Sequence, residues 1–514
     1  HGDIPRHDVF SYTAEGAPWV NGEWLSQVLY YELYRHGGGT AVACLKLAVA
    51  SAIFFRAAWV AWRRSGSGVF AIASAVVAAV LCRPFLDTRP QLFLFLGTLV
   101  VMAIVDAYRR GARPAILILL PLTMALWVNL HFSFVFGLAV LGLYAGGEIV
   151  KAALHLPAEP MPMPRALRLA AAVAAAALAC LVNPLGVEAV IFPFTMLGAD
   201  DLWRQEIIEW RRTVLFVEEP FNPALFGYVL CGQLLAAVGA FVGQRRRFDL
   251  CDAALIAVTG AMALTARRFI PLFAIVSVPF LATNRLRPRA AGTLELADGR
   301  AAAGVALACV LALGLLVRRA LPEVRATYAP GLFDGMIYAG YFPPGAVDFL
   351  RANPLPGRLF HIYTWGGYLM YHLPERKVFI DGRANTVYSA AFYRDNMIAE
   401  RGAPGWSDVL DRYQVGLVLW PSSGFADGGR LVMLRALRSS PSWRCIYDDN
   451  HSAVFAHVDR GREWIEQYRA FGLRYPDLPR AQLFLANAYL EGNQFERARR
   501  HLVDLVQRVA GVDA

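Results

Sequence analysis

The sequence predicts an α-helical membrane protein of about ten transmembrane helices, followed by a small extracytoplasmic α/β domain and a terminal helical hairpin. Three observations lead to this fold class. Of the 514 residues, 57% are hydrophobic, whereas globular domains contain about 45–50%. Long apolar runs fill residues 41–317, and the stretch after them has ordinary globular composition. Basic residues gather in alternate connections between the apolar runs, as membrane topology requires.

The apolar runs define the predicted spans. A helix needs about 20 apolar residues to cross the hydrocarbon layer. Runs that approach this length lie at 39–62, 67–83, 90–108, 114–130, 132–151, 166–183, 223–243, 250–266, 268–284 and 301–317.

Five basic clusters orient these spans, because Lys and Arg are enriched in cytoplasmic connections. The pairs Arg267-Arg268 and Arg318-Arg319 fall on the other side and count against the scheme. The N-terminal segment and everything after Val317 are therefore predicted to be extracytoplasmic. The five clusters lie at 63–64, 109–113, 151–168, 245–247 and 285–289.

The sequence predicts four regions. Residues 1–36 form an extracytoplasmic loop with an interfacial helix at 22–31, and residues 37–320 form the transmembrane domain. In residues 335–460, predicted strands at 358–363, 377–380, 415–420, 443–447 and 452–457 alternate with helical runs, one of them near 430–439. This alternation is typical of a small α/β domain. Residues 461–514 resemble one tetratricopeptide helix pair, which cannot bury its own apolar face and so implies a protein partner.

Two further features of the sequence bear on the class of protein and on the extent of the chain. The net charge of +10 comes from basic residues between apolar runs rather than from one patch, so no nucleic-acid partner is predicted. The chain begins at His1 within a polar segment. We expect it to be truncated at its N-terminus.

Several short motifs resemble the C-type glycosyltransferase superfamily, in its bacterial dolichyl-phosphate-mannose or lipid-A-sugar transferase-like group. The likeness extends over nearly the whole chain, although each motif is loose. The motifs are Gly2 to Thr13, Trp19 to Ser26, Arg89-Pro-Gln91, Trp127 to His131, Ile208-Glu-Trp210, Arg267 to Pro271, Trp365-Gly-Gly-Tyr368 and Val378 to Arg383.

The resemblance implies inverting transfer of a sugar from a polyprenyl-phosphate donor to an extracytoplasmic glycan, lipid or protein. It implies a multi-pass protein of the bacterial inner membrane, in contact with membrane lipid. Some members of the superfamily use a divalent metal to neutralise the phosphate. The sequence leaves the cofactor unknown and assigns no metal ligand.

Inverting transfer needs a carboxylate base and cationic groups for the departing phosphate. Glu23 and Asp8 are the candidate catalytic carboxylates; the alternatives are a helix N-terminal residue for Glu23 and a turn residue for Asp8. Arg89 is the first candidate for the phosphate, because guanidinium groups match phosphate oxygens. Arg267 and Arg268 come second, and snorkelling is their alternative.

The remaining candidates are predicted to bind substrate, each with a structural alternative. Asp87 could instead form a salt bridge with Arg89, and the turn at Asn129 and His131 could be a simple helix end. An amphipathic face or a tight turn would equally explain the others. These substrate-binding candidates are Asp87, Asn129, His131, Glu209, Trp210, Trp365, Asp381 and Arg383.

Two other functions stay open at the level of sequence. A transporter of lipid-linked intermediates would need charges at the membrane midplane and two repeated halves, and neither is evident. A non-catalytic assembly protein would dock partners through the tetratricopeptide-like end, and the loose motifs are compatible with it.

Overall fold

The computed structural model describes residues 4–155, 161–197, 201–215, 224–244, 249–283, 341–422 and 428–510. The described residues fall into two compact units. The helical unit comprises those of residues 20–336, and the C-terminal unit comprises those of residues 1–19 together with 337–514.

The helical unit consists of α-helices joined by short connections and 3₁₀ turns. Its helices are α1 Trp24–Ser65, α2 Gly68–Cys82, α3 Leu92–Arg109, α4 Leu119–Leu130, α5 Phe134–Leu154, α6 Met163–Ala179, α7 Val187–Leu197, α8 Asp201–Glu206, α9 Ala224–Gln244, α10 Leu250–Thr265 and α11 Ile270–Thr283.

Four of the described helical segments are long and apolar enough to cross a membrane: Trp24–Ser65, Gly68–Phe85, Leu92–Arg109 and Phe134–Leu154. Shorter apolar helices include Pro114–Leu130 and Leu250–Thr265. The predicted membrane-spanning helical part is therefore confirmed in outline, and the count of about ten spans stays a prediction. The predicted span 301–317 lies outside the described residues.

Helix α1 contains a break at the point where the sequence separates an interfacial helix from the first span. Gly37 has φ −138° and Gly38 has φ 58°, both outside the helical region. A positive φ costs little at glycine, which has no Cβ. The two glycines therefore let the first three turns of α1 diverge in direction from the remainder.

A tryptophan packs between two helices of this unit. Trp127 on α4 is buried. A Cβ at Gly97 on α3 would lie 2.6 Å from its ring, and one at Gly137 on α5 would lie 2.5 Å from it. Any larger side chain at either position would displace the indole, so both glycines provide the space that it occupies.

The C-terminal unit is a mixed four-stranded sheet with helices around it. The strand order is β1-β2-β4-β3, with β1 parallel to β2 and the other pairs antiparallel. Its elements are α12 Pro344–Ala352, β1 Arg358–His361, α13 Gly366–His372, α14 Ala390–Glu400, α15 Trp406–Arg412, β2 Val415–Pro421, α16 Gly428–Ser439, β3 Trp443–Asp448, β4 Ser452–His457, α17 Arg462–Arg469, α18 Pro479–Glu491 and α19 Phe495–Ala510.

The predicted α/β domain is confirmed, including its strands at 358, 415, 443 and 452. The predicted strand at Lys377–Ile380 is wrong. This segment is buried at Val378, Phe379 and Ile380, but it makes only an isolated parallel bridge to Ser11. Its neighbour is a chain segment more than 360 residues earlier, so the local pattern shows burial without showing the partner.

The terminal residues form a helical hairpin, α18 and α19. Phe471 and Tyr489 pack with ring centroids 4.9 Å apart, and an ion pair joins Glu491 to Arg444 on β3. Helix α18 thus lies against the sheet. The likeness to a tetratricopeptide unit stays a prediction.

Candidate functional site

Predicted site residues from five separate stretches of sequence meet in the helical unit. Glu23 immediately precedes α1, the Asp87–Arg89 turn precedes α3, and His131 follows α4. The 3₁₀ turns Ile208–Trp210 and Arg267–Phe269 supply the others. Because these positions are all ends of helices or turns between them, their side chains gather at one end of the helix bundle. We call this cluster the Glu23 site.

A directed chain of hydrogen bonds leads to Glu23. Trp127 Nε1–H donates to Ser133 Oγ over 3.1 Å. The Ser133 hydroxyl and backbone N–H both point at His131 Nδ1, at 2.6 and 3.1 Å. Indole N–H can only donate, so the hydroxyl proton is directed to Nδ1 and the neutral imidazole carries its proton on Nε2. Nε2 lies 3.3 Å from Glu23 Oε1, so its N–H is close to that carboxylate.

The two ionisable groups of this pair have pKa values shifted in opposite directions. Burial raises the pKa of Glu23 to about 7, and the Arg268 charge partly opposes that rise. Burial lowers the pKa of His131 to about 3, with the Arg268 charge acting in the same direction. At neutral pH His131 is therefore uncharged, while Glu23 is poised between its two states, as suits a general base.

Arg268 is the cation that acts on both members of this pair. Its guanidinium lies 4.8 Å from the centroid of the Trp210 ring, a cation–π arrangement. Glu209 and Glu23 attract it electrostatically, and Arg89 repels it. Arg268 thus connects the Glu23–His131 pair to the Glu209–Arg89 pair.

Arg89 and its acidic neighbours form ion pairs with one another. Arg89 Nη1 lies 2.8 Å from Glu209 Oε1, and Arg89 Nε lies 3.6 Å from Asp87 Oδ2. The Arg89 side chain is 59% exposed, so these pairs contribute little to stability and the guanidinium stays accessible from solvent. The salt bridge that the sequence left as the alternative for Asp87 is present.

Asn129 links the Glu23 site to the helix bundle by hydrogen bonds. Its Oδ1 accepts from Trp24 Nε1 at 2.8 Å, and its Nδ2 donates to the carbonyls of Ala125 and Val182 at 2.7 and 2.9 Å. These contacts occupy both N–H groups of the Asn129 amide and its oxygen. The amide therefore holds the Trp24 side chain in a fixed orientation. Arg267 lies beside Arg268 but is buried, and its backbone N–H donates to the Arg211 carbonyl at 3.1 Å.

Asp8, Asp381 and Arg383 form a second cluster, within the C-terminal unit. Arg383 Nη1 lies 2.7 Å from Asp8 Oδ1, and Arg383 Nη2 lies 2.7 Å from Asp381 Oδ2. Both carboxylates are buried. The guanidinium also lies 4.8 Å from the centroid of the Trp19 ring. These ion pairs hold the N-terminal segment against the rest of the C-terminal unit, which gives all three predicted residues a structural role. Contact between them and a substrate stays a prediction.

Trp365 also has a structural account. It is buried, and its Nε1 donates to the Tyr341 carbonyl at 2.7 Å. A Cβ at the following residue, Gly366, would overlap the Ile380 carbonyl oxygen. The Trp-Gly-Gly motif therefore packs α13 closely on the Val378–Asp381 segment. Contact between Trp365 and an acceptor stays a prediction.

Ser133 and Tyr30 were not among the site residues predicted from the sequence. Ser133 fixes the proton of His131, as described above. Tyr30 donates from its hydroxyl to the Arg89 carbonyl at 3.1 Å, which ties α1 to the turn before α3. A hydroxyl two residues after a histidine at a helix end was the available signal for Ser133.

Among the described residues, one group has the composition of a metal site. Oxygens of Glu148 and Asp249 and the sulfur of Cys251 lie within 4.8 Å of one another. Arg109 and Lys151 contact these carboxylates directly. Protein cations thus already neutralise them. The carboxylates of the Glu23 site are likewise paired with His131 or Arg89.

No protein-family model matches the chain, and no curated protein matches it. Solved structures that resemble it include two of the oligosaccharyltransferase of Archaeoglobus fulgidus. The crystal structure in the apo form has a TM-score of 0.45 and 12% identity, over 88% of this chain and 68% of that one. The complex with Zn and sulfate has a TM-score of 0.42 and 12% identity, over 88% and 66%. Likenesses of this strength support no inference about activity.

Proposed function

We propose that the protein is a membrane glycosyltransferase that moves a sugar from a polyprenyl phosphate to the hydroxyl of an extracytoplasmic acceptor. The observation that carries the proposal is the Glu23 site. A carboxylate with a pKa near 7 lies beside a neutral histidine and close to Arg268, at the end of helices long enough to cross a membrane. Ionisable groups that cluster at the membrane in this way are often functional.

In this proposal Glu23 is the catalytic base. Its carboxylate takes the proton of the acceptor hydroxyl while the hydroxyl oxygen attacks the anomeric carbon of the sugar. The bond from that carbon to the phosphate oxygen breaks, and polyprenyl phosphate leaves with the electron pair. Attack opposite the leaving group inverts the anomeric centre. His131 positions Glu23, since its Nε2–H lies beside the carboxylate at 3.3 Å.

The cations of the site suit the leaving group. Phosphate gains charge as the bond breaks, and guanidinium groups can donate to two of its oxygens at once. Arg268 is oriented by Trp210, whereas Arg89 is exposed and held by Glu209. We assign Arg268 as the principal phosphate ligand and Arg89 as the second. No step of this mechanism passes through a metal.

The first test is consumption of a donor by the full chain in lipid vesicles. Polyprenyl phosphate carrying radiolabelled glucose, mannose or N-acetylglucosamine would be supplied one sugar at a time, with a cell-envelope extract as the source of acceptor hydroxyls and release of free polyprenyl phosphate as the readout. We expect Glu23→Gln to abolish release. Glu15→Gln, at an exposed carboxylate paired with Lys377, should leave it unchanged. Release at the wild-type rate by Glu23→Gln would refute the assignment of the base.

The dependence of the rate on pH tests the pair. Only ionised Glu23 can accept a proton, so the rate should rise with pH through about 7 and then level off. His131→Ala removes the Nε2–H dipole that lies 3.3 Å from Glu23 Oε1 and favours the ionised carboxylate. The midpoint should therefore move to higher pH. An unchanged midpoint with a lower rate would assign His131 a merely structural role.

One observation favours the assembly protein as a second function. On the terminal helix α19, Phe495, Val503, Val506 and Val509 are exposed, each by at least half. Such residues on one helix are suited to a protein partner. If Glu23→Gln supported every function of the protein in cells while Val506→Asp did not, this second function would replace the first.

A further inference from the structure

The end of the helix bundle opposite the Glu23 site carries a network of ion pairs. It joins the C-terminal ends of α1, α3 and α5 to the N-terminal end of α10. Arg64 lies 2.7 Å from Asp106, and Arg109 lies 2.8 Å from Glu148. Four basic and four acidic residues balance within it: Arg64, Arg109, Arg110 and Lys151 with Asp106, Glu148, Asp249 and Asp252.

Arg56 adds an unbalanced positive charge next to this network. It lies on the same face of α1 as Arg64, two turns nearer the middle of the helix. That places it about 14 Å along the helix from Ser65, at 1.5 Å per residue. Its charged neighbours are Asp106, Arg64 and Arg110. In the described part of the chain, no carboxylate lies within ion-pair distance of it.

Arg56 opens onto a cleft between α1, α3, α5 and α11. Arg64 and Asp106 line the cleft at its charged end, and Leu99, Met102 and Ile275 line its apolar walls. Its enclosed volume is small, about 20 Å³, so a ligand would meet Arg56 at the open mouth of the cleft. A cleft with a cation at one end and aliphatic walls suits a molecule with an anionic head and a hydrocarbon tail.

Aromatic residues on the outer surface of α1 indicate how far below the membrane surface this cleft lies. Phe55, Trp59 and Trp62 are 70%, 43% and 47% exposed, and the Arg63 guanidinium lies 5.6 Å from the centroid of the Trp59 ring. Tryptophan is enriched where the hydrocarbon layer meets the lipid headgroups. Arg56 lies one turn deeper than Trp59, so the cleft opens within reach of lipid phosphates.

We propose that this cleft binds the phosphate of an anionic phospholipid, with Arg56 as the cation that pairs with it. One phosphodiester charge balances the single excess positive charge. Arginine matches phosphate oxygens in geometry, and basic pockets between transmembrane helices are recurrent sites for such headgroups. The site lies at the other end of α1 from Glu23, so it does not depend on the proposed activity.

The test uses the full chain, purified in detergent and depleted of lipid. Thermal unfolding is followed as phosphatidylglycerol or phosphatidylcholine is added at equal mole fraction. A ligand that binds only the folded state raises the Tm. We expect phosphatidylglycerol to raise it by roughly 5 °C and phosphatidylcholine to leave it unchanged. Equal effects of the two lipids would overturn the proposal.

Variants then locate the site. Arg56→Gln should lose the rise in Tm, whereas Arg63→Gln, an exposed arginine on the same helix, should keep it. Arg56→Lys should keep part of it. If Arg56→Gln does not fold, Met102→Trp, which fills the cleft, replaces it and should also lose the rise. A full rise in the variant that folds would contradict the proposal, as would an equal rise with inorganic phosphate alone.

Discussion

At the scale of single residues, helix ends supplied most of the candidate site. Four of its ionisable residues lie next to apolar runs: Glu23, Arg89, His131 and Arg268. A predicted membrane span does not by itself account for an ionisable residue at such a position. The sequence could therefore select them. It could not show that His131 contacts Glu23, because that contact joins residues 108 positions apart in the chain. Nor could it show the tautomer of His131, which depends on the rotamers of Ser133 and Trp127.

The Trp-Gly-Gly motif shows the opposite case, in which a suggestive pattern has a packing explanation. We predict that Gly366→Ala destabilises the C-terminal unit by about 1–3 kcal/mol, as overpacking does. Its Cβ would overlap the Ile380 carbonyl oxygen, and backbone cannot move aside cheaply. The change in the free energy of unfolding is measured by unfolding the full chain in urea. The susceptibility of the C-terminal unit to protease is the readout.

Gly367→Ala is the matched control. It lies on the same helix, and a Cβ there meets nothing within 4 Å. Alanine in a helix is more favourable than glycine by about 1 kcal/mol, so this variant should be as stable as wild type or more so. Equal destabilisation by both substitutions would show that the motif needs flexibility rather than close packing.

At the scale of elements, periodicity and composition predicted the regular pieces, and contacts remote in sequence were missed. The four strands of the sheet, the helix at 428–439 and the break in α1 follow from local sequence. The segment at Val378 does not, because it exchanges backbone hydrogen bonds with the N-terminal segment. Val378 N–H donates to the Phe10 carbonyl at 2.9 Å, and Tyr12 N–H donates to the Val378 carbonyl at 3.1 Å.

The N-terminal segment should depend on its buried ion pair. We predict that Asp8→Ala lowers the free energy of unfolding of the C-terminal unit by about 2–4 kcal/mol, because Arg383 loses one of its two buried partners. Resistance to protease in increasing urea would measure the loss.

Glu15→Ala serves as the comparison for Asp8. Glu15 forms an ion pair with Lys377 between the same two segments, but the two side chains are 61% and 42% exposed. Exposed pairs contribute about 0–1 kcal/mol, so this variant should unfold almost as wild type does. Were the two variants equally destabilised, burial would not be what makes the Asp8 pair important.

At the scale of the whole molecule, the ion pairs described in the helical unit lie in two layers at opposite ends of the same helices. Helix α3 has 18 residues, about 27 Å at 1.5 Å per residue, which approaches the thickness of the hydrocarbon layer of about 30 Å. The Glu23 site lies at its beginning, and Asp106, Arg109 and Arg110 lie at its end. The two layers are thus spaced like the two surfaces of a membrane.

This spacing, with the positive-inside rule, gives a prediction about topology. In a variant without native cysteines, a membrane-impermeant thiol reagent should label Thr88→Cys in intact cells and should not label Ala115→Cys. Both positions are exposed, and they flank α3. Permeabilised cells should label both positions equally, which controls for reactivity. Labelling of Ala115→Cys alone in intact cells would invert the predicted orientation.

The chain of donors that ends at Glu23 limits where a proton can go. His131 Nδ1 faces a backbone N–H that cannot rotate, and Nε2 already carries a proton, so the imidazole has no free lone pair for Glu23 to protonate. In the proposed mechanism, the proton that Glu23 takes from the acceptor therefore does not pass to His131. The Glu23 side chain is 30% exposed, so that proton returns directly to water before the base acts again.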